Sequence, residues 1–168
     1  MNTDQRGAAS LGIALAISVS MGGILLLFSL ITPFEQKRDA NTINANVRLI
    51  TQAATLTYQH AVMRSRCLSY TSNISLQALI NKQYVPVDIN HGLWRFETRF
   101  ISLNINNWSR PSQIETRVTF TTLAEMHAVL GHLTPTQIDL KTLVFASPLW
   151  IDVTDNWSHF DKQTGCYE

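Results

Sequence analysis

The chain has 168 residues and a formal net charge of +1, with 13 lysines and arginines against 12 aspartates and glutamates. This balance, without a clustered basic run, argues against nucleic-acid binding, because contact with phosphates needs grouped lysine and arginine side chains. The length argues against two independent folded domains, so we expect one small domain beyond the apolar start of the chain.

The N-terminal stretch from residue 8 to residue 31 contains no charged side chain. A helix of that length spans about 36 Å, more than the roughly 30 Å hydrocarbon core of a bilayer. A cleaved secretory signal has a shorter apolar region followed by a small-residue cleavage site, and the end of this stretch, Ser-Leu-Ile-Thr-Pro-Phe, lacks that pattern. The sequence therefore predicts an uncut transmembrane helix over 8–31.

Helical periodicity resumes beyond Pro33, which we expect either to kink the helix or to begin a new one. Over 32–66 the apolar residues fall on one stripe, with further apolar residues beside it. The stripe contains Ile43, Val47, Ile50, Ala54 and Ala61, with Leu49, Ala53 and Leu56 alongside. This pattern predicts an amphipathic continuation of the helix that packs against a domain formed by 67–168.

The seven residues MNTDQRG precede the uncharged helix. A short polar leader ending in Gly, then an uncharged helix with an amphipathic continuation, resembles the N-terminus of type IV pilins and pseudopilins over about the first 35 residues. The resemblance implies that 1–7 is a leader cut by prepilin peptidase between Gly7 and Ala8, after which the new N-terminus is methylated. The helix then anchors the subunit and later packs in the filament core.

Gly12 departs from this family, whose members usually carry a glutamate at the matching position. Pilin-like subunits without that glutamate are typically minor ones, often placed at the filament tip. The resemblance also implies the partners, namely other pilin subunits, the inner-membrane assembly platform, prepilin peptidase and, before assembly, membrane lipid. It implies a single-pass protein of the bacterial inner membrane with its domain in the periplasm, which later enters an extracellular pilus or a periplasmic pseudopilus.

The elements after the helix are predicted from periodicity and turn signals. Ser75 is suited to cap a short helix, Leu76–Gln83, which Tyr84-Val85-Pro86 ends. Alternation over 93–105 shifts parity after Phe100, which indicates a long strand with a bulge or two strands. A strand over 114–120, a helix from Leu123 to Leu133 and strands over 138–145 and 149–153 complete the series.

This order predicts an α+β fold in which a long N-terminal hydrophobic and amphipathic helix packs on a mainly antiparallel sheet, as in the pilin αβ-roll. A second architecture shares the order of elements. Bitopic inner-membrane subunits of pilus and type II secretion platforms carry a ferredoxin-like periplasmic domain after an uncleaved anchor.

The two cysteines, Cys67 and Cys166, predict one disulfide if the domain lies outside the cytoplasm. Two unpaired thiols are expected if it lies inside. Pilins commonly link their C-terminal region by a disulfide, so the resemblance agrees with a disulfide rather than with two free thiols.

No catalytic constellation is evident, and neither a cofactor nor a metal is expected. His127 and His132 are not spaced for one helical face, and no H-E-x-x-H frame is present. Of the four tryptophans, Trp94 and Trp150 are expected in the core, since both fall in predicted strands. Trp108 and Trp157 fall in polar turns, where we expect them to pack in the core or at its rim, with a role as exposed binding residues as the alternative.

These patterns favour a non-enzymatic structural subunit, a minor pilin or pseudopilin that primes or caps a type IV pilus or a type II secretion-like filament. The alternatives are an uncleaved bitopic platform subunit and a membrane-anchored periplasmic binding protein. Cleavage after Gly7 distinguishes the first two.

Overall fold

The computed structural model describes the backbone of residues 4–70, 73–90, 92–105, 107–151 and 159–167, and the side chains of those from residue 34 onward. The chain forms two compact units, 1–39 and 40–168. The first unit is helical from Asp4 onward. Among the residues searched, which are those that the structure describes, no helix combines the length and the apolar character needed to cross a membrane.

Helix α1 runs from Asp4 to Ser65. It passes through Pro33 without interruption, so the expectation that a new helix begins there is wrong. From Ala40 onward one side of α1 is buried, at Ala40, Ile43, Val47, Ile50, Ala53, Ala54, Tyr58 and Val62. The predicted apolar stripe is therefore confirmed in its main positions. Leu56 is exposed, however, and Tyr58, which was not included in the stripe, is buried.

The second unit contains an antiparallel sheet of four strands in the described part of the chain. These strands are β1 (Trp94–Ile105), β2 (Trp108–Phe120), β3 (Gln137–Asp139) and β4 (Thr142–Pro148), and their order across the sheet is β1-β2-β4-β3. Every neighbouring pair is antiparallel. The expectation of an α+β fold with a helix N-terminal to an antiparallel sheet is thereby confirmed.

The parity shift near Phe100 is a β-bulge within one continuous strand pair. Ile101 pairs with Gln113 and Ser102 pairs with Pro111, which leaves Ser112 as the extra residue on β2. The Ser112 hydroxyl donates to the Ile101 carbonyl at 3.0 Å, which holds the bulge in place. β2 also begins at Trp108, earlier than the predicted start at residue 114.

The predicted strand over 138–145 is wrong in form, because the segment is a hairpin of β3 and β4. Asp139 pairs with Thr142, and Leu140 has a left-handed backbone with φ of 46°. Two hydrogen bonds of Lys141 hold this turn against the end of β2. The Phe120 amide donates to the Lys141 carbonyl at 2.9 Å, and Lys141 Nζ donates to the Thr121 carbonyl at 3.1 Å.

The predicted strand over 149–153 is not found where the structure describes it. β4 ends at Pro148, and 149–151 have no strand pairing. Residues 152 and 153 lie outside the described residues. A smaller antiparallel pair follows, formed by β5 (Phe160–Asp161) and β6 (Cys166–Tyr167).

Two short helices close the core. α2 (Leu76–Asn81) is capped by Ser75, whose side chain accepts from the Ala78 amide as predicted. α3 (Leu123–Leu130) lies between β2 and β3 and begins with a capping box of Thr122 and Glu125. The core joins one face of the sheet to the buried sides of these helices and of α1, and its large buried residues include Ile43, Ile50, Tyr58, Leu79, Phe96, Ile114, Val118, Phe120, Met126 and Leu143.

Candidate functional site

The end of α1 is tied to the C-terminal segment by a disulfide. Cys67 and Cys166 are bonded at 2.02 Å, which confirms the predicted pair. Backbone bonds flank it on both sides, from the Leu68 amide to the Gly165 carbonyl at 2.8 Å and from the Tyr167 amide to the Arg66 carbonyl at 2.7 Å. The two segments thus form a short antiparallel bridge as well as a covalent link.

The turn between β5 and β6 is organised by Asp161. Its carboxylate accepts from the Gln163 amide and from the Thr164 hydroxyl, both at 2.7 Å, and its carbonyl accepts from the Gly165 amide at 2.8 Å. The Gln163 amide, followed by the Thr164 hydroxyl, holds the pKa of Asp161 below its ordinary value, because both stabilise the carboxylate. The turn returns the chain to Cys166.

Trp108 supports this turn from β2. Its indole Nε1 donates to the Lys162 carbonyl at 3.0 Å, and its ring centroid lies 6.1 Å from that of Phe160. Gly165 lies directly on the indole and has a left-handed φ of 73°; a Cβ built there would come within 2.5 Å of the Trp108 ring. The indole is therefore half-buried and packed against the C-terminal hairpin.

The other tryptophans are distributed differently from the sequence-based expectation. Trp94 is half-buried and packs against the core beside Phe120, with ring centroids 6.3 Å apart. Trp150 is 78% exposed, so its expected place in the core is wrong. The reason is that β4 stops at Pro148 and the chain leaves the sheet before Trp150. Trp157 lies outside the described residues.

Tyr58 forms the centre of an aromatic cluster beneath the disulfide-linked end of α1. Its ring lies 5.6 Å from that of Tyr70 and 6.0 Å from that of Phe100, centroid to centroid. Its hydroxyl donates to the Leu68 carbonyl at 2.7 Å. Burial raises the pKa of Tyr58 to about 12, despite the opposing charge of Arg110. The phenol is therefore neutral, and its proton is used in the hydrogen bond to the Leu68 carbonyl.

A cleft opens where β4 separates from β2. We call it the Trp150 cleft; its volume is about 270 Å³, and its lining includes Tyr58, Leu68, Arg110, Pro111, Leu149 and Trp150. The amide of Leu149 still reaches the Ser112 carbonyl, at 2.9 Å, so the departing chain is anchored at the bulge before it turns away. The bulge and the end of β4 together produce a mostly apolar recess with an arginine in its wall.

The opposite face of the sheet carries an ion-pair cluster around Glu115. Its Oε1 accepts from Arg99 Nε at 2.8 Å and from Arg117 Nε at 2.9 Å. Burial raises the pKa of Glu115, but the hydrogen bonds and charges of Arg99 and then Arg117 outweigh it and hold the pKa below its ordinary value. The cluster is consistent with a structural role in pairing β1 with β2.

Gly7, Ala8 and Gly12, the residues singled out by the resemblance, fall where side chains lie outside the described residues. Cleavage between Gly7 and Ala8 therefore stays a prediction, as does the minor role inferred from Gly12. Within the described ranges, no three His, Cys, Asp or Glu side chains lie close enough together to hold a metal ion. The sequence reasoning missed the Trp150 cleft, whose walls come from three separated segments.

Comparisons of the chain with protein-family models, with curated proteins and with solved structures found no match.

Proposed function

We propose that this chain is a pilin-like or pseudopilin-like structural subunit, a minor component that acts in priming or at the tip of a type IV pilus or a type II secretion-like filament. It would have no enzymatic activity of its own. Residues 1–7 would be the leader, and 8–31 would anchor the subunit in the inner membrane before assembly. The domain would then lie in the periplasm, where disulfides form.

The order of segments is the observation that carries the proposal. An uncharged stretch follows a short leader ending in Gly7, and the same helix, α1, continues into a side that is buried in an antiparallel α+β domain. The disulfide between Cys67 and Cys166 supports an extracytoplasmic location for that domain. These features also suit a platform subunit with an uncleaved anchor, so processing of the leader decides between the two.

The test is the intact mass of the protein isolated from its native host. We expect a mature chain that begins at Ala8 and carries one methyl group. The variant Gly7→Leu should keep the leader, while Gly12→Ala, which leaves the cut untouched, should be processed normally. A mature chain that still begins at Met1 would contradict the proposal and favour the platform subunit.

The absence of a glutamate at Gly12 is the reason for proposing a minor, low-copy subunit. A carboxylate within a bilayer is costly unless it is paired, so a glutamate at this place would need a partner such as a neighbouring N-terminal amine. Glycine removes both the cost and the attraction, which suits a subunit inserted before any neighbour is present. We expect quantitative mass spectrometry of sheared filaments to give a copy number far below that of the major subunit; similar copy numbers would contradict a priming or tip role.

A further inference from the structure

The Trp150 cleft has the composition of a protein-binding hot spot. Tryptophan, tyrosine and arginine are the residue types that carry most binding energy at protein interfaces. Here Trp150 is 78% exposed, while Tyr58 is buried in the floor and Arg110 stands in the wall. An indole so exposed beside an apolar recess leaves a large apolar surface in contact with water, which a bound partner would cover.

The size of the cleft indicates what it can hold. A cavity of about 150 Å³ accommodates benzene, whereas sites for drug-sized ligands occupy about 300–1,000 Å³. At about 270 Å³, the cleft suits one aromatic or branched aliphatic side chain better than a larger ligand. The floor offers such a group no free donor, because the Tyr58 hydroxyl is already bonded to the Leu68 carbonyl.

The charge of the cleft indicates what should stand next to that side chain. Arg110 is exposed and makes no ion pair with a carboxylate in the described part of the chain. By contrast, Arg99 and Arg117 on the other side of the sheet are both paired with Glu115. A guanidinium at the rim of an apolar recess recognises a carboxylate through charge-assisted hydrogen bonds.

We propose that the Trp150 cleft is a docking site for a segment of a partner protein, which inserts one apolar side chain beside Trp150 and pairs an adjacent carboxylate with Arg110. The partner is thus defined by an apolar residue next to an aspartate or glutamate in an accessible segment. The inference goes beyond the proposed filament role, because the cleft lies within the 40–168 unit and does not depend on the leader or on residues 8–31.

The experiment uses the full chain in mild detergent, with its four tryptophans labelled as 5-fluorotryptophan. The variant Trp150→Phe identifies the Trp150 resonance in the ¹⁹F spectrum by its loss. The probes are three blocked tetrapeptides: glycine, phenylalanine, aspartate, glycine; the same peptide with lysine in place of aspartate; and the same peptide with glycine in place of phenylalanine. Free phenylacetate is titrated as a small-molecule comparison.

We expect a saturable shift of the Trp150 resonance with the phenylalanine-aspartate peptide, and at least tenfold weaker binding of the other two peptides. Arg110→Glu should reverse the preference between aspartate and lysine. The matched control Arg95→Glu, at an exposed arginine on β1, should leave that preference unchanged. Unfolding midpoints close to that of the unmodified chain would show that both variants fold.

Three results would overturn the inference. The first is the absence of any saturable shift at the Trp150 resonance. The second is equal binding of all three peptides, or an unchanged preference in Arg110→Glu. The third is binding of phenylacetate as tight as that of the best peptide, which would make the cleft a small-molecule site instead. None of these results bears on leader processing, so failure here is distinct from failure of the filament proposal.

Discussion

Gly165 is the position where a single added methyl group should do the most damage to the C-terminal hairpin. Its φ of 73° is a conformation that side chains with a Cβ adopt at a cost of about 1–2 kcal/mol. The added Cβ would also meet the Trp108 ring at 2.5–2.7 Å, and overpacking of this kind costs about 1–3 kcal/mol. We therefore expect Gly165→Ala to lower the free energy of unfolding by about 2–5 kcal/mol.

The measurement is urea unfolding of the full chain, followed by circular dichroism and by tryptophan fluorescence. Gly131→Ala is the matched control, because Gly131 has an ordinary helical φ of −64° and nothing lies within 4 Å of a Cβ built there. That variant should be neutral or slightly stabilising, by up to about 1 kcal/mol. If the two variants unfolded within about 0.5 kcal/mol of each other, the argument from Trp108 and the left-handed backbone would be refuted.

Three further changes test other parts of the domain. Cys166→Ser should lower the unfolding free energy by a few kcal/mol, since it opens a loop of 99 residues; non-reducing peptide mapping that finds free thiols in the exported protein would contradict the expectation. Tyr58→Phe should cost about 1–3 kcal/mol in urea unfolding, because the buried Leu68 carbonyl loses its donor. Tyr84→Phe should cost little, because the bond between the Tyr84 hydroxyl and His60 is exposed to water. Because the pKa of Glu115 is depressed in the folded state, its contribution to the free energy of unfolding is present above the ordinary value of about 4.3 and is lost as pH falls through the folded pKa. Glu115→Gln should therefore make the free energy of unfolding fall less steeply on the acid side, and an unchanged slope against pH would disprove the assignment.

Local signals in the sequence predict much of this fold. The buried stripe of α1, the Ser75 cap and the bulge after Phe100 each follow from spacing or residue type within a few positions. The disulfide was predictable because only two cysteines exist, and one of them follows the helix while the other lies near the C-terminus.

The hairpin of β3 and β4 gave no such signal. Two-residue hairpin turns usually carry glycine or asparagine, because their backbone needs positive φ. Here Leu140 and Lys141 occupy the turn, and bonds from Lys141 to the end of β2 hold it in place. A contact between residues so far apart in sequence overrides the local preference, so alternation alone suggested one longer strand.

The Trp150 cleft could not have been predicted for a related reason. Its floor comes from α1, one wall from the start of β2 and the other from the chain after Pro148. Alternation through Leu149, Trp150 and Ile151 predicts a strand with a buried indole, and only the end of β4 at Pro148 shows that the sheet does not continue. The spacing of Tyr58 from Ile50 and Ala54 did predict that its side chain, which forms the floor of the cleft, lies on the buried side of α1.

The link between Cys67 and Cys166 also determines how the molecule would respond to mechanical load. A pull applied between the two ends of the chain enters the 40–168 unit along α1, crosses the disulfide and leaves through Tyr167 without passing through the sheet. The 99-residue loop, which would otherwise extend by about 330–360 Å, is removed from the loaded path. The four-stranded sheet therefore lies off the loaded path, whereas Tyr58, which forms the floor of the Trp150 cleft, lies on it.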